Sequence, residues 1–409
     1  MIHKRFLSSA AILLATLSIL ALAADRLPAL ADGPRAVAWL KTQQNDDGGF
    51  GSPASSAGAT ADVLLAVAAT GDNALHWSSE RMHQGQTSLD YLKANVRTEQ
   101  RAGILSKIIL ALIASGQNPR TSLGVDLVAR LEGMVGSDGK IGGPGDLNEH
   151  CFSLIALRSA QRPIPAASIQ YLLQRQIADG TWSWNGDTAE GSGDNNTAAI
   201  AVVALIAAGV PADHAQIQKT LAHLKEQQND DGGFPYISPS PFGTDSDANS
   251  TAVAMWAIVA AGQDPAGVDW KYMAMDGRSA LDRLRAFQND NGAFRWQDAM
   301  PDDNFLSTVQ AIIAMELETL PFAVTEAAMD VGTERTPQVA AEAATEAPIT
   351  LPETGAETTN FNNEFRLWIP AVALLGSGIV LVGTGLSLRR RVGEHVRGEH
   401  VCMDSHGSR

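Results

Sequence analysis

The chain has 409 residues, of which 45% are hydrophobic, 6% aromatic and 18% charged. Its formal net charge of −15 argues against a nucleic-acid backbone or an anionic lipid surface as the principal partner. Two cysteines, Cys151 and Cys402, are too few for a disulfide scaffold, and abundant alanine with scarce aromatics favours close-packed helices over sheets.

Met1-Ile-His-Lys-Arg5 precedes an apolar run from Phe6 to Ala24 and then Ala29-Leu30-Ala31. A basic start, an apolar stretch and an Ala-x-Ala site in this order read as a secretory leader, so residues 1–31 are expected to be a signal peptide cut after Ala31. From Asp32 to Leu320 the chain repeats itself. Glutamine, three residues, glycine, one residue and an aromatic recur as Gln44/Gly48/Phe50, Gln176/Gly180/Trp182, Gln228/Gly232/Phe234 and Gln288/Gly292/Phe294. Val135/Gly139/Ile141 is a degenerate copy, and the unit around Tyr91 to Asn95 has none. Each unit pairs an amphipathic segment with a loop and an alanine-rich apolar segment, at 59–71, 105–116, 150–160, 196–209, 250–262 and 307–315. Glycine after the last apolar turn, and Asn or Ser before the first, mark helix ends.

A half-exposed helix followed by one that is apolar nearly all round predicts an outer ring of helices enclosing an inner ring. Six such pairs make an all-α (α/α)6 toroid over 32–320; an open solenoid needs polar caps at both ends, and none is evident. Glycine permits the tight exit from the outer helix, the aromatic packs back over it, and the glutamine bonds loop backbone, so the motif reads as structural.

Beyond the repeats, 321–366 turns to Ala, Glu, Thr and Pro with eight acidic and two basic residues, the composition of an extended stalk. Leu367 to Leu388 is 22 residues without a charge, enough as a helix for a bilayer core of about 30 Å. Arg389-Arg390-Arg391 follows, which places 389–409 in the cytoplasm and the large domain outside.

The order of Leu351-Pro352-Glu353-Thr354-Gly355, the span and the arginines resembles the sorting signal of Gram-positive wall proteins. That resemblance implies a sortase cutting between Thr354 and Gly355 and joining Thr354 to the cell wall, hence a cell-surface protein anchored to membrane or wall. The Gln-x-x-x-Gly-x-aromatic repeat resembles that of squalene and terpenoid cyclases and of protein prenyltransferase β subunits, over essentially all of 32–320. The same toroid occurs in cobalamin-carrier and complement thioester domains.

The inner helices are expected to run in one direction, so that their N-termini and dipoles gather at one mouth, where the long loops also enter. The candidate rim residues are Glu149, Asp194, Asn195, Asn196, Asp245, Asp247, Asn249, Asp302, Asp303 and Asn304. They read either as helix caps or as a site for a small molecule, a glycan, a cationic peptide or Ca²⁺. Asp247-Ala248-Asn249-Ser250-Thr251-Ala252 stands where class II terpenoid cyclases carry Asp-x-Asp-Asp-Thr-Ala, and Asn249 takes the place of the protonating acid. A prenyltransferase-type zinc site needs Asp, Cys and His, but the domain's single cysteine, Cys151 beside His150, reads as core. No catalytic residue and no metal site is assigned.

These features favour an exported, surface-anchored ligand-binding or adhesive module over a catalyst. No cofactor is evident, with Ca²⁺ or a corrinoid as remote candidates. The alternatives are an enzyme of the cyclase/prenyltransferase-like superfamily, or a toroid-type polysaccharide lyase or hydrolase using Asp247 with Asp302 or Asp303.

Overall fold

The repeated element keeps much the same geometry from copy to copy. In the fifth unit the Gln228 amide donates to the carbonyls of Gly232 and Trp270, both at 2.9 Å, tying the end of one outer helix to the approach of the next. Gly232 has φ +90°, and a Cβ there would meet the Ser279 carbonyl at 2.6 Å, so both the conformation and the close approach exclude a side chain. Phe234 is fully buried, and its N–H donates to Thr251 Oγ1 at 3.0 Å on the following helix. Phe50 with Thr60 and Phe294 with Thr308 repeat that bond. In the degenerate third unit His150 takes the threonine's place, its Nδ1 accepting from the Ile141 N–H at 3.0 Å.

The computed structural model describes residues 33–79, 85–241, 243–272 and 277–322. All lie in the larger of two compact units, 1–377. The leader, the stalk beyond 322, the pentapeptide 351–355, the span 367–388, the tail 389–409 and the second unit, 378–409, lie outside the described residues. Among the described residues no helix is long and apolar enough to cross a membrane.

Six hairpins follow one another: α1 (Gly33–Thr42) with α2 (Ala57–Ala69), α3 (Ser88–Asn95) with α4 (Ala102–Ala114), α5 (Leu127–Glu132) with α6 (Leu147–Ser159), α7 (Ala166–Leu173) with α8 (Asn195–Ala207), α9 (Ala215–Gln227) with α10 (Ala248–Ala260), and α11 (Ala280–Ala286) with α12 (Phe305–Met315). The even-numbered helices form the inner ring: α2 packs on α4, and so on to α10 on α12, and α12 closes back on α2. α1 packs on both α2 and α12, and the Arg35 guanidinium donates to the Asn289 carbonyl at 3.3 Å, so the first and last units are joined directly. The expected closed toroid is the fold. Small residues let the inner helices approach closely, and α8 buries every residue from Asn195 to Leu205.

The ordered differences from the sequence reading are local. Inner helices start one to three residues earlier where a side chain outside the apolar run supplies the cap, as Ser56 does for α2 by accepting from the Ala59 N–H. The sixth loop is not wholly irregular: β1 (Phe294–Gln297) pairs antiparallel with β2 (Met300–Asn304), Phe294 opposite Asn304. Met300 to Asp303 are exposed and carry a proline, so no apolar alternation marks that strand in the sequence.

Candidate functional site

The inner helices do run in one direction, because neighbours touch at equal heights. Asn249, two residues past the cap of α10, receives the Ser307 hydroxyl from the first turn of α12 at 2.8 Å. Asp62 of α2 meets Lys107 of α4, each six residues past its own cap, at 2.9 Å.

At the N-terminal mouth most of the candidate rim residues are bonded to other parts of the fold. Asp194 accepts from the Thr197 N–H at 2.7 Å and the Thr197 hydroxyl at 2.8 Å; Asp247 does the same with Ser250 at 2.8 and 2.7 Å. Burial pushes both carboxyls up to about 6, against the hydrogen bonds that hold them down, including those from Tyr236 to Asp194 and Trp296 to Asp247. Asn304 caps α12 by accepting from the Ser307 N–H at 2.9 Å. The Asn195 amide donates to the Pro235 carbonyl at 3.0 Å and meets His223 Nε2 through its oxygen at 3.0 Å. Glu149 accepts from the Gly143 N–H at 3.1 Å.

Asp303 receives Trp39 Nε1 at 3.2 Å and the Asn289 amide at 2.8 Å, so it fastens the last loop to the first helix. Asp247 is bonded to Ser250 and Asp303 to Trp39, Asn289 and Asn291, so each carboxylate of the proposed pair has partners of its own. Asp302 is exposed on β2. Asp245 lines an open polar groove of ≈ 450 Å³ with Asp230, Asp231 and Asp298. In that groove Arg283 is already held by Asp231 at 2.7 Å and Asp298 at 2.8 Å. The asparagine at the acid position, Asn249, is fixed on both sides, its amide donating to Gln310 Oε1 at 2.9 Å.

The second feature is the lumen, which sequence reasoning missed. A cavity of ≈ 20 Å³ lies between the inner helices, walled by Leu65, Phe152, Trp256, Leu306, Val309 and Ile313, with Asp62, Lys107 and Gln310 as its polar groups and Leu320 from beyond the ring. It has room for about one water molecule. Burial raises Asp62 above the usual carboxylate range, opposed by Lys107 beside it. The Lys107 ammonium also stands 5.1 Å from the Phe152 ring centroid. Trp256 Nε1 is buried and has no hydrogen-bond partner among the described residues. The available signal was charge where none was expected: Asp62 and Lys107 stand inside segments that are otherwise apolar.

Beside this lumen, His150 and Cys151 are structural. His150 Nε2 faces the Ser168 carbonyl at 3.0 Å, which only accepts, so Nε2 carries the proton, and burial lowers the imidazole to about 4. Burial pushes the Cys151 thiol well up. Among the described residues, no three His, Cys, Asp or Glu side chains are grouped to hold a metal ion.

A closed ring of inner helices with an apolar, aromatic-walled lumen is the α/α-toroid class of protein. Within that class, residues 143–301, which run from the third unit to the hairpin of the sixth, match the squalene-hopene cyclase C-terminal domain. A squalene–hopene cyclase of Zymomonas mobilis is 32% identical over 143 residues, 31% of this chain and 20% of the relative, so the match spans about a fifth of that protein's length. Among solved structures, the type II terpene cyclase MstE from Scytonema has a TM-score of 0.47 at 17% identity, covering 70% of this chain and 96% of that one. Candida albicans protein geranylgeranyltransferase-I, complexed with GGPP, has a TM-score of 0.46 at 14% identity, covering 70% and 90%.

Proposed function

We propose that this protein is a cyclase-like toroid whose lumen, with room for about one water molecule in the state described, opens to take an isoprenoid-class apolar ligand, and that it does not begin cyclisation by protonation at the usual position. The observation that carries the reading is the lumen wall. Phe152 and Trp256 lie within the segment similar to squalene-hopene cyclases and, with Leu65, Val309 and Ile313, make an apolar lining with aromatic faces. Asn249 has no acidic proton, and its amide is fastened between Gln310 and Ser307. Similarity favours this cyclase-like alternative over the adhesive one, and of the rim carboxylates Asp194, Asp247, Asp303 and Glu149 are already bonded within the fold. Export and surface anchoring stay part of the proposal on the strength of the leader, the pentapeptide and the span in the sequence.

The enzyme form of this reading rests on Asp62, a carboxyl buried in the lumen wall above its ordinary titration range. Incubation of the purified protein with squalene and with geranylgeraniol, followed by native mass spectrometry and product analysis, separates the two forms. Retention of unchanged isoprenoid, abolished by Ile313→Trp, is the expected result. A cyclised product that disappears in Asp62→Asn would establish catalysis with Asp62 as the acid. If neither the wild type nor Leu320→Ala holds an isoprenoid at saturating concentration, the reading is wrong.

A further inference from the structure

One of the residues lining the lumen of this toroid belongs to no inner helix. Every other side chain lining the cavity comes from α2, α4, α6, α10 or α12; Leu320 alone comes from the chain beyond α12. The local geometry shows how it gets there. α12 ends at Met315, Leu317 adopts φ +54°, and the Glu318 N–H returns to the Ile313 carbonyl at 3.2 Å, which turns the chain back on the helix it has just left. Leu320 is then 3% exposed and lines the cavity with Leu65, Trp256 and Ile313, each nine residues past its cap, toward the C-terminal ends of the inner helices. Phe322 packs on the core just after it.

The turns after α4, α6, α8 and α10 make the same backbone bond, from the N–H groups of Gln117, Arg162, Val210 and Gln263 to the carbonyls of Leu112, Leu157, Leu205 and Ile258, so the turn itself is common to the ring. Gly71, Gly116, Gln161, Gly209 and Gly262 hold the positive-φ position after α2, α4, α6, α8 and α10, and the residues following them do not line the cavity. In the sixth unit Leu317 holds that position, strained as Gln161 is in the third, and only there does the chain beyond the turn bring a large apolar side chain to the lumen.

We propose that Leu317 to Phe322 is a built-in plug, with Leu320 occupying the C-terminal end of the lumen in place of ligand, so that the lumen takes an apolar molecule when this segment withdraws. The chemical class of that molecule rests on the function proposed above; the plug itself does not. A binding-competent state populated a tenth of the time weakens the apparent affinity about tenfold, and removing the plug recovers that factor.

The test uses the full-length chain and two probes, N-phenyl-1-naphthylamine as a general apolar fluorophore and geranylgeraniol as its competitor. Leu320→Ala is expected to tighten naphthylamine binding by about tenfold over wild type. Leu320→Val, a milder truncation that keeps the turn, should give a smaller gain in the same direction. Leu205→Ala, which opens space in α8 away from the cavity, should give none. Unchanged affinity in folded Leu320→Ala and Leu320→Val, or an equal gain in Leu205→Ala, overturns the plug. Tight wild-type binding of geranylgeraniol that Leu320→Ala does not improve also overturns it while leaving the isoprenoid reading intact. Naphthylamine binding gained in Leu320→Ala without competition by geranylgeraniol supports the plug and removes the isoprenoid reading.

Discussion

At the scale of single residues, the mouth of the toroid is governed by carboxylates that cap helices from inside the protein. Asp247 gains three or more hydrogen bonds as an acceptor, yet its burial outweighs them and its carboxyl titrates near 6. A carboxyl raised in the folded state binds its proton more tightly folded than unfolded. Its contribution is therefore most favourable near pH 4 and falls as the pH rises to about 6. Asparagine caps as well as aspartate and has no charge to bury. Asp247→Asn should match the wild type near pH 4 and exceed it by about 2 kcal/mol at pH 7, read from urea midpoints across that range. His150 acts in the opposite sense. Its pKa is lowered by burial to about 4, so the stability it supports is present above pH 6.5 and declines as the pH falls toward 4. Comparing Asp247→Asn with wild type at every pH cancels the His150 contribution, which both proteins share.

At the scale of elements, the glutamine, glycine and aromatic of each unit form one joint. The glutamine side chain crosses from the end of one outer helix to the approach or first turn of the next, as Gln44 does to the Trp77 carbonyl at 2.9 Å and Gln176 to the Gln216 carbonyl at 2.8 Å. Gln228→Ala leaves the carbonyls of Gly232 and Trp270 without this donor inside the protein. The expected loss is about 1–3 kcal/mol, with an unchanged m-value in urea because the fold is retained. This joint was legible in the sequence because its parts lie within seven residues and recur. The β1–β2 hairpin was not, since its second strand, Met300 to Asn304, is polar and stabilised by pairing rather than by burial.

At the scale of the molecule, closure is the decisive event. The sixth joint meets the first helix: a Cβ on Gly292, which sits at φ +98°, would collide with the Arg35 carbonyl, and Trp39 reaches Asp303 from the same helix. Gly292→Ala is therefore expected to loosen the seam between α12, α1 and α2 more than any other part of the ring. Hydrogen exchange should show faster opening in α1 while α6 and α8 stay protected, and uniform acceleration throughout would contradict a localised seam. Closure also makes the lumen. Asp62, Lys107, Phe152, Trp256 and Gln310 come from five different helices and have no relation in sequence except their height above a cap.

The sequence by itself determined everything that depends on short separations. Six hairpins, an exposed and an enclosed helix in each, and the structural duty of the repeat follow from periodicity and turn chemistry over a few residues, which left the rim residues open between caps and a ligand site. It also displayed Asn249 at the acid's place, although not that Gln310 and Ser307 hold it there. That Asp194 and Asp247 are buried and bound as caps came from the tertiary structure. It alone brought an ion pair and an indole unpartnered among the described residues to a lumen of about one water's volume, and it alone placed Leu320 in that lumen's lining. The physical reason is that helix periodicity and turns are settled over a few residues, whereas what buries a cap and which side chains face a central cavity are set by how six hairpins close on one another.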